Sequence, residues 1–180
     1  MELRISAPMV SKAEIAGSGS IRFTTDAKID DSLDAVISGS GNIQMGGLTC
    51  NNLKSEVSGS GNIQMKSVSC KNLETKISGS GDLSVNNVKA DNVEANITGS
   101  GKIKLTGNAV SANYQIIGSG NIHADNLMTK GVKAEIIGSG DIFCYAIETL
   151  NANHSGSGDV HYKGNPQIST NKKNWLHHIQ

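Results

Sequence analysis

Ile37-Ser38-Gly39-Ser40-Gly41-Asn42-Ile43-Gln44-Met45 decides the fold, because it returns twenty residues later as Val57-Ser58-Gly59-Ser60-Gly61-Asn62-Ile63-Gln64-Met65. The Gly-Ser-Gly triplet at its centre begins at Gly17, Gly39, Gly59, Gly79, Gly99, Gly118, Gly138 and Gly156, in steps of 22, 20, 20, 20, 19, 20 and 18 residues. Seven of the eight triplets, all but the last, have Ile or Val two residues before them, from Ile15 to Ile136. Two residues after each second glycine stands another aliphatic residue, from Ile21 to Val160. Two further on come Phe23, Met45, Met65, Val85, Leu105, Ala124, Cys144 and Tyr162. This is period-two alternation, the signature of a strand with one face buried, and it runs in phase straight through the triplet.

Two more apolar positions complete the repeat. Leu48, Val68, Val88, Leu127 and Ile147 follow the first glycine of their triplets by nine residues, and Leu53, Leu73, Val93 and Val132 by fourteen. Each repeat therefore has three inward-facing stretches, separated by polar corners such as Asn51-Asn52 and Asn86-Asn87. Asn suits corners because it tolerates the left-handed backbone region. One such unit cannot bury its own apolar side, but a stack of them can. The expected fold is all-β, a right-handed single-stranded parallel β-helix of about eight coils of ~20 residues. Residues 1–170 form the repeat domain and 171–180 a non-repeat tail. A leucine-rich repeat lacks its Leu-x-x-Leu-x-Leu pattern here, and central glycines among β-branched residues exclude an α-solenoid.

Bulk properties agree with this reading and narrow the function. The chain has 180 residues, a formal net charge of +0, 21 glycines, 2 prolines and only 3% aromatics. Zero net charge gives no electrostatic case for nucleic acid, and no apolar run reaches the ~18 residues of a membrane span. The three cysteines do not make a disulfide framework. Cys50 and Cys70 lie one repeat apart and stack in neighbouring coils. They read as small buried apolar residues, although strand spacing of ~4.8 Å also permits a disulfide.

The triplet glycines fall on the inward phase, where the opposing wall can approach or the strand can bend. A phosphate-cradling loop would need a helix to follow, and none does. The outward phase supplies the candidate interaction face. Ser38, Ser40 and Asn42 stack under Ser58, Ser60 and Asn62, and these under Ser78, Ser80 and Asp82, as ladders of hydroxyls and amides on one flat face. Ile117 and Ile137 break the Ser/Thr position in later coils and make an apolar spot. Such a face either stabilises the stack alone or receives a glycan or a surface protein.

Catalytic chemistry has weak support. Asp141 and Asp159 share one repeat position in adjacent coils, but Ser20, Asn42, Lys102 and Asn121 fill it elsewhere, as a tolerant solvent position does. The histidines, His123, His154, His161, His177 and His178, make no metal-ligand spacing, and His154 stands where the earlier coils have Ile or Val. No catalytic residue, cofactor site or metal site is expected. At the ends, Leu3-Arg4-Ile5-Ser6-Ala7-Pro8 offers no cap, whereas Trp175 and Leu176 could cover the last rung.

Three landmarks in order resemble the head GIN domain family of auto-transporter adhesins. These are the lead-in from Ile5 to Gly19, the string Ile37 to Ile43 with its near-copy at 77–83, and the closing His161-Tyr162-Lys163-Gly164-Asn165-Pro166. The resemblance covers about residues 3–170. It implies a β-helical protein of the Bacteroidetes cell envelope or exterior, acting in adhesion or surface interaction, and it brings no catalytic residues with it. The chain has no signal peptide of its own, and its tail leaves the pattern, so it reads as a piece of a longer protein. The expected function is a non-enzymatic surface or structural role. The alternatives are a polysaccharide-acting β-helix enzyme, which needs converging charges from neighbouring coils, and a cytoplasmic scaffold.

Overall fold

The computed structural model describes residues 10–171 and 174–180, and among them the regular structure is all strand. Residues 3–8, which offer no cap by sequence, lie outside the described residues, as does the pair 172–173 of the tail. Among the described residues, fourteen strands join one sheet in which every pairing is parallel. The middle coils are long hydrogen-bonded runs: Asn62–Gly79, Asp82–Gly99, Lys102–Gly118, Asn121–Gly138 and Ile142–Gly156. Earlier coils break into shorter strands, among them Ser32–Gly39, Asn42–Thr49 and Asn52–Gly59. The chain is a β-solenoid of about eight turns, as the repeat predicts.

Register places like on like. Ile37 pairs with Val57, Val57 with Ile77 and Ile77 with Ile97, and Ile116 and Ile136 continue the column. All are buried. The same holds for Ile43, Ile63, Leu83, Ile103, Ile122 and Ile142 on the next face. A parallel ladder holds strands ~4.8 Å apart, so branched side chains one repeat apart touch along the axis. Each buried Ile or Leu contributes roughly 1.5–3 kcal/mol, and that repeated term drives the stacking.

Three corners turn each coil. Consecutive outward residues mark two of them, Lys66-Ser67 and Lys71-Asn72 in one coil. The second carries an amide ladder. Asn72 Nδ2 donates to Asn52 Oδ1 (2.8 Å), Asn92 Nδ2 to Asn72 Oδ1 (2.9 Å) and Ser111 Oγ to Asn92 Oδ1 (2.7 Å). At the first corner Asn87 takes φ 48°, the left-handed region expected of a corner Asn.

The triplet is the third corner, and here the structure corrects two expectations. Strands end at the first glycine and resume after the second, so the alternation keeps its phase across a bend rather than along a straight strand. Gly99 has φ +125°, and only the second glycine of each middle triplet, such as Gly101, is buried. The close approach is along the axis, not to the opposing wall. A Cβ on Gly101 would lie 2.5 Å from Gly81 O and 2.7 Å from Ile77 Cγ2, both in the coil below. The ladder continues through the corner, with Ser100 N–H donating to Gly79 O at 2.9 Å.

A third correction concerns Ile147, placed inward by counting from its triplet. It is exposed, and Ala146 takes the inward place. Ala124 pairs with Cys144 and Met128 pairs with Tyr145, so Asp125, Asn126 and Leu127 have no counterparts in the next coil. That coil is the short one, and the count slips.

The tail closes the stack. Gln167–Thr170 pairs with Thr149–Ala152, and Leu176–His178 pairs with Val160–Tyr162. Trp175 is buried and tilts against His154 at a ring distance of 4.9 Å. His154 Nε2 and Trp175 Nε1 are both buried without a hydrogen-bond partner, a cost accepted where the regular column ends.

Candidate functional site

The expected interaction residues come together at the triplet corner, in three axial columns. Ser38, Ser58 and Ser78 pair in register and lead through Thr98 to Ile117 and Ile137. Asn42, Asn62 and Asp82 form the second column on the far side of the bend. Ser40, Ser60 and Ser80 occupy the apex between them and are exposed. The surface is therefore a ridge with a column on each flank, not one flat face. Hydrogen bonding in the ridge runs through the backbone and the Asn column, where Asn62 Nδ2 donates to Asn42 Oδ1 at 3.0 Å.

The apolar step is the distinctive element of the ridge. Ile117 and Ile137 are 43% and 45% exposed, directly in line with hydroxyl-bearing residues below. Two stacked isoleucines face water at a position that Ser and Thr fill in most other coils, with Ala16 in the first.

Asp141 and Asp159 do lie in adjacent coils, but each serves the corner. Asp141 Oδ1 accepts the Asp159 N–H at 2.9 Å, just as Asn121 Oδ1 accepts the Asp141 N–H at 3.0 Å. Asp159 Oδ1 in turn sits 3.5 Å from His177 Nε2. This is the geometry of a ladder, in which each side chain caps the next backbone amide.

A feature missed from the sequence lies beside the Asn/Asp column. His123, Phe143, His161 and His177 occupy one outward position in four successive coils. Their rings stack at centroid distances of 4.8, 4.5 and 5.2 Å. The signal was present as the residue after Ile122, Ile142, Val160 and Leu176, but Gln44, Gln64, Ser84 and Lys104 hold the place in earlier coils and hid it. Stacked along the axis, the rings use their faces on one another and offer only edges outward. The stack braces the last coils against one another.

His123 makes that brace sensitive to acid. Burial lowers its pKa from the ordinary 6.5, and the nearby Lys102 lowers it further. The folded state thus binds a proton less readily than the unfolded chain, and stability falls as pH drops below 6.5. His123→Phe keeps the stack and removes this term. Its thermal midpoint should fall less than that of the wild type between pH 7 and pH 5, and parallel curves would refute the assignment.

Comparisons place the chain among known proteins. The family model "Putative auto-transporter adhesin, head GIN domain" matches residues 1–102 and 56–166. A crystal structure of a "Putative lipid binding protein" from Parabacteroides distasonis ATCC 8503 is 31% identical, with a TM-score of 0.73, over 82% of this chain and 61% of that one. A "putative adhesin" from Parabacteroides merdae ATCC 43184 is 28% identical, with a TM-score of 0.76, over 82% of this chain and 63% of that one. This chain thus spans less than two thirds of either relative. A second "putative adhesin" from Parabacteroides distasonis ATCC 8503 shares the fold at 20% identity, with a TM-score of 0.77 over 97% of this chain and 94% of that one. No curated protein matches the sequence. With the family model spanning nearly the whole solenoid, the chain belongs to the head GIN domain family.

Proposed function

We propose that this chain is a non-enzymatic binding module of the cell surface or envelope, engaging a glycan or a surface protein along the triplet ridge. The observation that carries the reading is the ridge's in-register column, in which Ser38, Ser58, Ser78 and Thr98 give way to exposed Ile117 and Ile137. Hydroxyls repeating every coil at ~4.8 Å suit a partner that is itself extended and repetitive. An adjoining apolar step supplies contact energy that hydroxyls in water do not. Family membership supports a role in adhesion and a location at the surface.

The test is binding of the purified chain to a glycan array and to immobilised matrix proteins. The double variant Ile117→Ser, Ile137→Ser is compared with wild type. Expected is loss of at least about tenfold in affinity, since two partly buried Ile side chains at an interface contribute over 1.4 kcal/mol together, with the thermal midpoint unchanged. An unaltered affinity for the partner found would remove the ridge from the reading. A liposome arm addresses the lipid-binding name of one relative, because a lumen filled by side chains such as Leu33, Ile63 and Tyr114 leaves only the exterior for a lipid.

A further inference from the structure

Two of the three cysteines are neighbours along the solenoid axis. Thr49 pairs in parallel register with Ser69, and the Cys50 N–H donates to Ser69 O at 3.0 Å. In a parallel ladder that bond belongs to the next residue pair, so Cys50 lies opposite Cys70. Cys70 pairs in turn with Ala90, and the three residues form one inward column beside the Asn corner. Cys50 and Ala90 are buried and Cys70 is half-buried.

The spacing suits a covalent link. Hydrogen-bonded strands are ~4.8 Å apart, and disulfides span Cα separations of about 4.4–6.8 Å, with Cβ atoms about 3.5–4.5 Å apart. Cys50 lies just beyond the end of the strand Asn42–Thr49, and the next residues keep the coils in register, with Asn51 N–H on Asp31 O and Lys71 N–H on Asn51 O, both at 2.9 Å, so closure needs only a few tenths of an ångström at Cβ. We propose that Cys50 and Cys70 are a disulfide site that clips two successive coils together, closed by exchange with a small disulfide donor such as oxidised glutathione.

The chemistry balances as follows. The Cys50 thiolate attacks one sulfur of the donor, forming a mixed disulfide and expelling a donor thiolate. Cys70 then loses its proton to that thiolate and attacks the Cys50 sulfur, expelling the second donor thiolate, which takes up the proton lost by Cys50. Two protein thiols are oxidised by two electrons, and one donor disulfide becomes two thiols. The two thiols interact, so ionising one holds the other protonated until the first is capped. The same two steps balance with the two cysteines exchanged. Cys144 takes no part, since it is fully buried, with its thiol pushed up to about 12 by that burial.

The test uses the full chain carrying Cys144→Ala, reduced and then incubated folded with oxidised glutathione. Expected is a loss of about 2 Da, two hydrogens, and no alkylation by iodoacetamide after denaturation without reductant. A tryptic digest then links peptide 29–54 to peptide 67–71, and the link disappears in Cys50→Ser. The oxidised form should melt on the order of 5 °C higher than the reduced form, because the link closes a loop of one coil. Two alkylatable thiols, stable glutathione adducts on both cysteines, or only intermolecular dimers, in a chain whose circular dichroism stays that of a β-sheet, would overturn the proposal.

Discussion

Gly99→Ala lowers the thermal midpoint of the stack by on the order of 10 °C, while Ser100→Ala, one residue further on, leaves it within about 1 °C. Each substitution changes a side chain by one heavy atom, and the corner treats the two oppositely. Ser100 is exposed at the apex, and its backbone N–H, which holds the ladder to Gly79 O at 2.9 Å, survives the substitution. Gly99 has φ +125°, a region an L-residue occupies at a cost of about 1–3 kcal/mol. Its Cβ would also lie 2.5 Å from Gly79 O, and crowding of that kind adds about 1–3 kcal/mol. The obstacle is backbone of the coil below, so no rotamer change relieves it. Gly101→Ala separates the two causes. Its backbone is not in the left-handed region, but its Cβ would meet Gly81 O at 2.5 Å, so crowding acts alone and the loss should be smaller. Because each coil touches only its neighbours, hydrogen exchange in Gly99→Ala should rise first in the strands ending at Gly79 and Gly118. Equal, small shifts for Gly99→Ala and Ser100→Ala would show that the triplet is a spacer without a conformational role.

What the sequence made legible was whatever repeats at a fixed offset. Ile97 and Ile103 are inward because the same residue types return each coil, and counting alone finds them. Counting fails where a coil changes length. Ile147 looks equivalent to Leu127 by its distance from the triplet, but Leu127 has no counterpart once the next coil drops three residues between Ala124 and Met128. The direction of close packing was also beyond reach. An inward glycine in a strand says that something comes near, and only the register shows that it is Gly81 O from below rather than the far wall. The columns from Ser38 to Ile137 were legible because columns follow from register. The bend was one of two roles open to the inward glycines, and a residue pattern does not choose between them, because it does not show a positive φ. The stack of His123, Phe143, His161 and His177 escaped for a different reason. Imidazole and phenyl rings are unlike in sequence terms and alike only in geometry.

The second large effect is expected at Tyr114, where the core breaks its own pattern. In register, Tyr114 stands between Ala95 and Ala134, in a column whose other members include Ala13, Ala35, Ser55, Thr75 and Ala152. It is fully buried, and burial pushes its phenol well above the usual value. The reason for so large a side chain lies in the same coil. Gly107 replaces the Val88 and Leu127 of its neighbours, and Ala112 replaces Val93 and Val132. The larger Tyr114 accompanies these smaller residues in one coil, and it is expected to fill the volume they leave. Tyr114→Ala should therefore cost about 3–5 kcal/mol, because Gly107 and Ala112 have no side chains able to collapse inward. Tyr114→Phe should be neutral or stabilising. The Tyr114 hydroxyl is buried without a partner in hydrogen-bond geometry, and Thr129 beside it donates instead to Leu127 O at 3.1 Å. A double-mutant cycle tests the compensation itself. Ala112→Val overpacks a lumen that already holds Tyr114 and should destabilise the wild type, yet the same change refills the cavity and should stabilise Tyr114→Ala. The two residues are close enough to couple by about 0.5–3 kcal/mol, and the reversal of sign is the measurement. If Ala112→Val has the same sign and size in both backgrounds, the two positions do not share one volume, and the large ring at Tyr114 needs another cause.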